Sequence, residues 1–153
     1  MNILNSSEII KQGNILERQG KFDEAIECYR KIIQIDPRLY LSYQKLGDLF
    51  VKKGNSEAAV IEYKRAMKFK NDSVVAYYKL GKILKEQGDL QQARLFIHRG
   101  ISFKKEFSKL YFELGQILFQ KDKKIIAEAC FKRANRLASL ERRTSKQVQK
   151  NSL

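Results

Sequence analysis

The chain has 153 residues, with 31 lysines and arginines against 17 aspartates and glutamates, a formal net charge of +14. That length fits one domain, and no apolar run approaches the roughly 18 residues that cross a bilayer, so a transmembrane helix is excluded. The opening Met1-Asn2-Ile3-Leu4-Asn5 has neither a basic start nor a long apolar core, and no secretory signal is expected.

Helix-period spacing of apolar side chains predicts eight helices in chain order. The first covers 6–19, with Ile9, Gly13 and Leu16 on one face. Gly20 ends it, and a second helix over 22–35 carries Ala25 and Tyr29. The third covers 40–53, with Tyr43, Leu46, Gly47 and Phe50; Gly54 precedes a fourth over 56–69, with Ala59 and Tyr63. The fifth covers 74–87, with Tyr77, Leu80, Gly81 and Leu84; Gly88 precedes a sixth over 90–103, with Ala93 and Ile97. The seventh covers 108–121, with Tyr111, Leu114, Gly115 and Leu118; Asp122 stands where the other turns have glycine, and the eighth covers 125–140, with Ala127 and Phe131.

Gly13, Gly47, Gly81 and Gly115 recur at a step of 34 residues, and so do Ala25, Ala59, Ala93 and Ala127. Glycine inside a helix costs about 1 kcal/mol relative to alanine, so its recurrence implies close approach of a second helix. A small residue one turn before a large one gives a pocket and a knob. Gly20, Gly54 and Gly88 are expected as helix-ending residues of positive φ. Asp23, Glu57 and Asp89 fall near the starts of second helices, where the dipole favours an anion.

These residues resemble the tetratricopeptide repeat family, whose pattern is aromatic-x-x-Leu-Gly-x-x-aromatic, then Ala-x-x-x-aromatic, then proline. Only Pro37 supplies the proline; Asn71, Lys105 and Ser139 take its place elsewhere. The resemblance implies an all-α fold, a right-handed α-solenoid of about four helix-turn-helix repeats. The layout expected is an N-terminal extension at 1–5, an array over 6–141 with repeats 6–39, 40–73, 74–107 and 108–141, and a basic tail or helix extension at 142–153.

In this family the first helices line a concave face that contacts ligands. The resemblance therefore implies a peptide-binding groove containing Asn14, Lys45, Asp48, Tyr78, Lys79, Lys82, Phe112, Gln116 and Phe119. Tyr78, Phe112 and Phe119 would hold apolar side chains, and Lys45, Lys79 and Lys82 would pair with carboxylates. Ile10, Gln44, Val75, Lys85, Lys109 and Glu113 share that face. One subfamily clamps chaperone C-termini with a Lys, Asn, Asn, Lys, Arg set. Of Ile10, Asn14, Lys45, Val75 and Lys79 at those places only Asn14 agrees, and one repeat later only Lys109 agrees. Chaperone-tail capture is rejected.

The implied function is a non-catalytic adaptor or scaffold binding a protein or peptide segment, with a bias to acidic partners. Charge supports that bias: residues 1–55 carry nine basic and seven acidic side chains, and residues 56–139 carry eighteen and nine. An alternative is a polyanion-binding module, taking RNA or an acidic surface on an outer ladder of Arg30-Lys31, Lys64-Arg65, His98-Arg99 and Lys132-Arg133. A further alternative is an assembly factor for a larger complex, since small tetratricopeptide proteins of plastids and cyanobacteria look similar in architecture. The expected compartment is the cytoplasm, or the plastid stroma for a photosynthetic source.

No nucleophile elbow, P-loop or dinucleotide fingerprint is present, so no enzyme activity, catalytic residue, cofactor or metal is expected. His98 is read as a surface residue, and Cys28 and Cys130, three repeats apart, as unpaired thiols in a reducing compartment. Asn135 replaces the apolar Ile33, Met67 and Ile101 of earlier repeats, so that face is expected to meet solvent without a fifth repeat. Leu137, Leu140 and Thr144 would share one side of a prolonged last helix. Ile9 and Ile10 lack an N-terminal cover and are expected to be partly exposed, an edge that would support self-association.

Overall fold

The computed structural model describes residues 5–150, which form eight α-helices and, among the described residues, no strand. They are α1 (Ser6–Arg18), α2 (Phe22–Ile35), α3 (Tyr40–Lys52), α4 (Ser56–Phe69), α5 (Val74–Glu86), α6 (Leu90–Phe103), α7 (Ser108–Gln120) and α8 (Lys124–Lys150). Residues 1–4 of the expected extension and 151–153 of the expected tail lie outside the described residues.

The chain divides into two compact units, one ending at Ala76 and one starting at Tyr77. In the first, α1 packs on α2, α2 on α3 and α3 on α4. Its core joins Ile9, Leu16, Ile26, Tyr29, Ile32, Leu46 and Leu49. In the second, α6 packs on α7 and α7 on α8, and Leu80, Ile97, Leu110 and Ile117 are fully buried. Aromatic stacking ties the first helix to the end of the second in the two middle hairpins. Tyr43 stacks on Phe69 at 5.5 Å between centroids, and Tyr77 on Phe103 at 5.6 Å.

The recurrent helical glycines are places of close approach. A Cβ at Gly47 would lie 2.7 Å from the Tyr63 ring, at Gly81 2.5 Å from Ile97, and at Gly115 2.6 Å from Phe131. At Gly13 the nearest Tyr29 atom is 3.1 Å away. The knob is the large residue of each Ala-x-x-x-large motif, and it presses where the facing helix has no side chain.

All four hairpins turn alike. At the third, Gly88 N–H donates to Lys85 and Asp89 N–H to Leu84, closing α5 in a Schellman motif. Gly88 has φ +84°, and Gly20 and Gly54 adopt φ +75°. Asp122 takes the same left-handed conformation, φ +57°, with Asp122 and Lys123 donating to Phe119 and Leu118. The fourth turn is therefore formed without glycine, at a steric cost the Cβ imposes. Asn55 and Asp89 cap α4 and α6 by accepting from Ala58 and Gln92 N–H groups. Asp89 is thus a cap, not a first-turn acid like Asp23 and Glu57.

The expectation for Ile9 needs correction. Ile9 is 7% exposed because it joins the core on which α1 packs against α2, and only Ile10 is partly buried. Of the two options for 142–153, the chain takes the helix extension: α8 passes residue 140 and continues to Lys150, since no glycine or proline interrupts it. Along it Leu137 is buried against α7 while Leu140 is 47% exposed and Thr144 is exposed. Asn135 is exposed.

Candidate functional site

The first unit holds Asn14, Lys45 and Asp48, all half-buried. Asn14 Oδ1 accepts from the Tyr29 hydroxyl at 2.9 Å, and Asp48 accepts from the Tyr63 hydroxyl. Burial, followed by the nearby Glu17 charge, pushes Tyr29 up to about 12. Burial and the Asp48 bond drive Tyr63 higher still, so both phenols remain donors. Burial of Glu17 would raise its carboxyl. The ammonium groups of Lys52 at 2.7 Å and Lys45 at 3.0 Å outweigh that and hold it below the ordinary carboxylate value. Asn14, Asp48 and Lys45 therefore have internal partners. Gln44 likewise donates to Ser73.

In the second unit Tyr78, Lys82 and Phe112 come together. With Ser108, Lys109 and Glu113 they line an open groove of about 740 Å³ whose floor is α7 and whose walls are α5 and α8. Phe112 is 47% exposed and leans on Phe131 at 5.7 Å. Tyr78 meets Phe107 edge-on at 6.0 Å, and Lys109 Nζ lies 5.7 Å from its ring centre. Burial raises the Tyr78 hydroxyl pKa, helped by Glu113 and Glu86. Lys82 is 3.9 Å from Glu86 on its own helix. Gln116 and Phe119 line a separate, smaller hollow of about 390 Å³ with Lys85 and Phe131. Lys79 is half-buried on α5 and lines neither hollow.

The α8 wall escaped sequence reasoning. Ala134 and Ala138 give it a smooth apolar surface, and Arg142, Ser145 and Lys146 continue it past the repeat. The residues from 141 onward show no apolar periodicity, so their only signal is uninterrupted helix-compatible composition. Glu141 fixes the wall: its carboxylate accepts Ser108 N–H at 3.0 Å and Ser108 Oγ–H at 2.7 Å, at the positive end of the α7 dipole. Glu113, 4% exposed, is bound by Lys85 at 2.6 Å. Both carboxylates of the groove are thus engaged by the protein itself, and Lys82, Lys109, Arg142 and Lys146 set its sign.

The outer ladder is exposed at all eight positions. Three of its cations are already paired along their own helices: Arg30 with Glu27 at 2.7 Å, Arg65 with Glu62 at 2.8 Å and Lys132 with Glu128 at 3.0 Å. Arg133 covers the Tyr111 ring. His98 is exposed beside Arg94. Cys28 is buried and Cys130 half-buried, both as free thiols. Among the described residues no group of three His, Cys, Asp or Glu side chains is placed to hold a metal, and no helix is long and apolar enough to cross a membrane.

Tetratricopeptide repeat models match residues 10–39, 74–106 and 108–139, and a TPR repeat model matches 47–88. No curated protein matches the chain. Among solved structures, a crystal structure of MamA is 25% identical over 91% of this chain and 81% of its own, with a TM-score of 0.80. PilF of Pseudomonas aeruginosa is 22% identical over 86% of this chain and 60% of its own, at 0.76. A chain of the APC/C hetero-tetramer Cut9–Hcn1 is 20% identical over 88% of this chain and 26% of its own, at 0.80. The last two likenesses are of fold alone.

Proposed function

The chain belongs to the tetratricopeptide repeat family, and from that premise we propose that it is an adaptor whose second unit seats an acidic protein segment in the groove over α7. The family is one of protein-interaction scaffolds, typically non-catalytic, and this all-α fold is of that kind. The observation that carries the finer reading is the groove's composition. Apolar surface from Tyr78, Phe112, Ala134 and Ala138 lies beneath a rim of four cations, and both local carboxylates are committed internally. Such a surface favours a bulky apolar side chain flanked by acids. Aromatic anchors in a partly desolvated hollow are where binding energy concentrates.

The repeat-family matches and the MamA likeness support an interaction role in general. The Cut9–Hcn1 likeness is to a member of a larger complex, which is compatible with service as an assembly factor.

The test replaces Tyr78 and Phe112 together by alanine, both outside the fully buried core. Lysate proteins captured by the wild-type chain after nuclease treatment are compared with those captured by the variant. A retained protein should bind the variant about tenfold or more weakly, with unchanged circular dichroism. Undiminished capture would remove the groove from the function.

A further inference from the structure

The turn from α7 into α8 departs from its three counterparts in a consistent direction. At the second and third positions of the second helices the chain has Asp23-Glu24, Glu57-Ala58 and Gln91-Gln92; in the last it has Ile125-Ile126. Ile125 is 87% exposed, the highest value among the exposed large apolar residues, and Ile126 is 55% exposed. Phe119, 56% exposed, lies at the same end of the hairpin. The cap position is Asn55 and Asp89 in the middle repeats and lysine in the outer two, Lys21 and here Lys123, but only here do two more lysines, Lys121 and Lys124, lie within two residues of it. Asp122 is the acid of this turn, 3.3 Å from Lys124. One helical turn on, Glu128 is paired with Lys132 at 3.0 Å.

This composition works against the helix it begins. Lysines at a helix N-terminus oppose the dipole, and a lysine cannot cap the exposed N–H groups. The site thus gives up local stability and places its most exposed aliphatic side chains among cations. We propose that the α7–α8 turn is a docking point for an anionic lipid surface. Ile125 and Ile126 enter the boundary between headgroups and acyl chains, and Lys121, Lys123 and Lys124 lie among the phosphates. This site is distinct from both the outer ladder and the groove.

Three features favour this occupant. The isoleucines project from a helix start and line none of the hollows described above, so they suit a soft interface into which they can insert. A second copy of the chain would bring the same lysines and repel. A nucleic acid would use the lysines but has no role for two bare aliphatic side chains.

The test uses the full chain and sedimentation with vesicles of phosphatidylcholine, alone or with about one-third phosphatidylserine. The wild type should sediment with the anionic vesicles, be released by high salt, and bind the neutral ones far less. Ile125→Gln with Ile126→Gln installs the residues the third repeat already carries, so the helix start has a native precedent. It should lower anionic-vesicle binding by about tenfold. Lys123→Gln should lower it by about fivefold. The Tyr78→Ala/Phe112→Ala variant should bind vesicles as the wild type does, which separates this proposal from the groove. No binding to anionic vesicles would overturn it. So would undiminished binding by the double glutamine variant, which would assign the attraction to lysines elsewhere. Capture of an acidic protein that depends on the isoleucines, without vesicle binding, would replace the lipid with a protein partner.

Discussion

A methyl group at Gly47 would collide with the Tyr63 ring at 2.7 Å, whereas one at Gly13 would meet Tyr29 at 3.1 Å, a tight contact that a shift of a few tenths of an ångström relieves. Both substitutions gain about 1 kcal/mol of helix propensity. Overpacking costs about 1–3 kcal/mol where the neighbour cannot yield. Tyr63 cannot, being fully buried and tied to Asp48. Gly47→Ala should therefore lower stability in urea denaturation, while Gly13→Ala should change it little; equal effects would discount the knob. Glu62 offers a second test at this scale. It is 8% exposed, its Oε2 has no hydrogen-bond partner, and burial raises its carboxyl pKa despite the opposing pull of Arg65 and Arg30. An acid raised in this way destabilises the fold above its folded pKa, and the penalty fades as pH falls through that value toward the unfolded one. Glu62→Gln should raise the melting temperature at neutral pH, with the gain vanishing in mild acid. A lower melting temperature at neutral pH would mean the Arg65 pair dominates. Glu17 has the opposite sign: its lowered pKa supplies stability at neutral pH that is lost as acid protonates it.

At the scale of the helix, α8 past Leu140 is where the sequence left a tail and a helix extension both open. Seven helices, and α8 as far as Leu140, follow from apolar spacing and turn residues, because their faces must pack. The stretch after Leu140 has almost no apolar residue to show a face, yet α8 carries on. What anchors it is one polar contact, Glu141 to Ser108, between residues 33 apart, which no local pattern announces. Glu141→Ala should cost about 0.5–2 kcal/mol, the usual range for a lost N-terminal cap, and loosen the wall of the groove. Hydrogen exchange at the start of α7 would report it, and unchanged protection would show the contact to be idle. The use made of Asn14 and Asp48 was more accessible. Wherever the knob is tyrosine, the residue fifteen positions earlier is an Asn or Asp that receives its hydroxyl. Where the knob is Ile97 or Phe131, that place holds Lys82 or Gln116.

For the whole chain, a net charge of +14 sets self-repulsion against a few strong ion pairs. Screening acts at about 8–10 Å near physiological salt, which is longer than the buried Lys85–Glu113 contact but comparable to the spacing of surface lysines. Moving from very low to about 0.15 M salt should therefore raise the melting temperature. A fall would show that ion pairs such as those of Glu17 outweigh the repulsion. Fold was legible because every repeat must satisfy the same packing. The groove was legible only in its α5 and α7 members, because its other wall lies beyond the motif. The tyrosine knobs also bear on how such a chain can diversify. A repeat whose knob carries a hydroxyl spends a surface residue holding it, and that residue is no longer at liberty to change without loss of order. A repeat with a plain hydrocarbon knob makes no such demand. Exchanging one ring for another deep in a hairpin thus decides what an outer position answers to: Asn14 and Asp48 answer to a phenol in the core, whereas Lys82 and Gln116 answer to polar neighbours, Glu86 and Lys85.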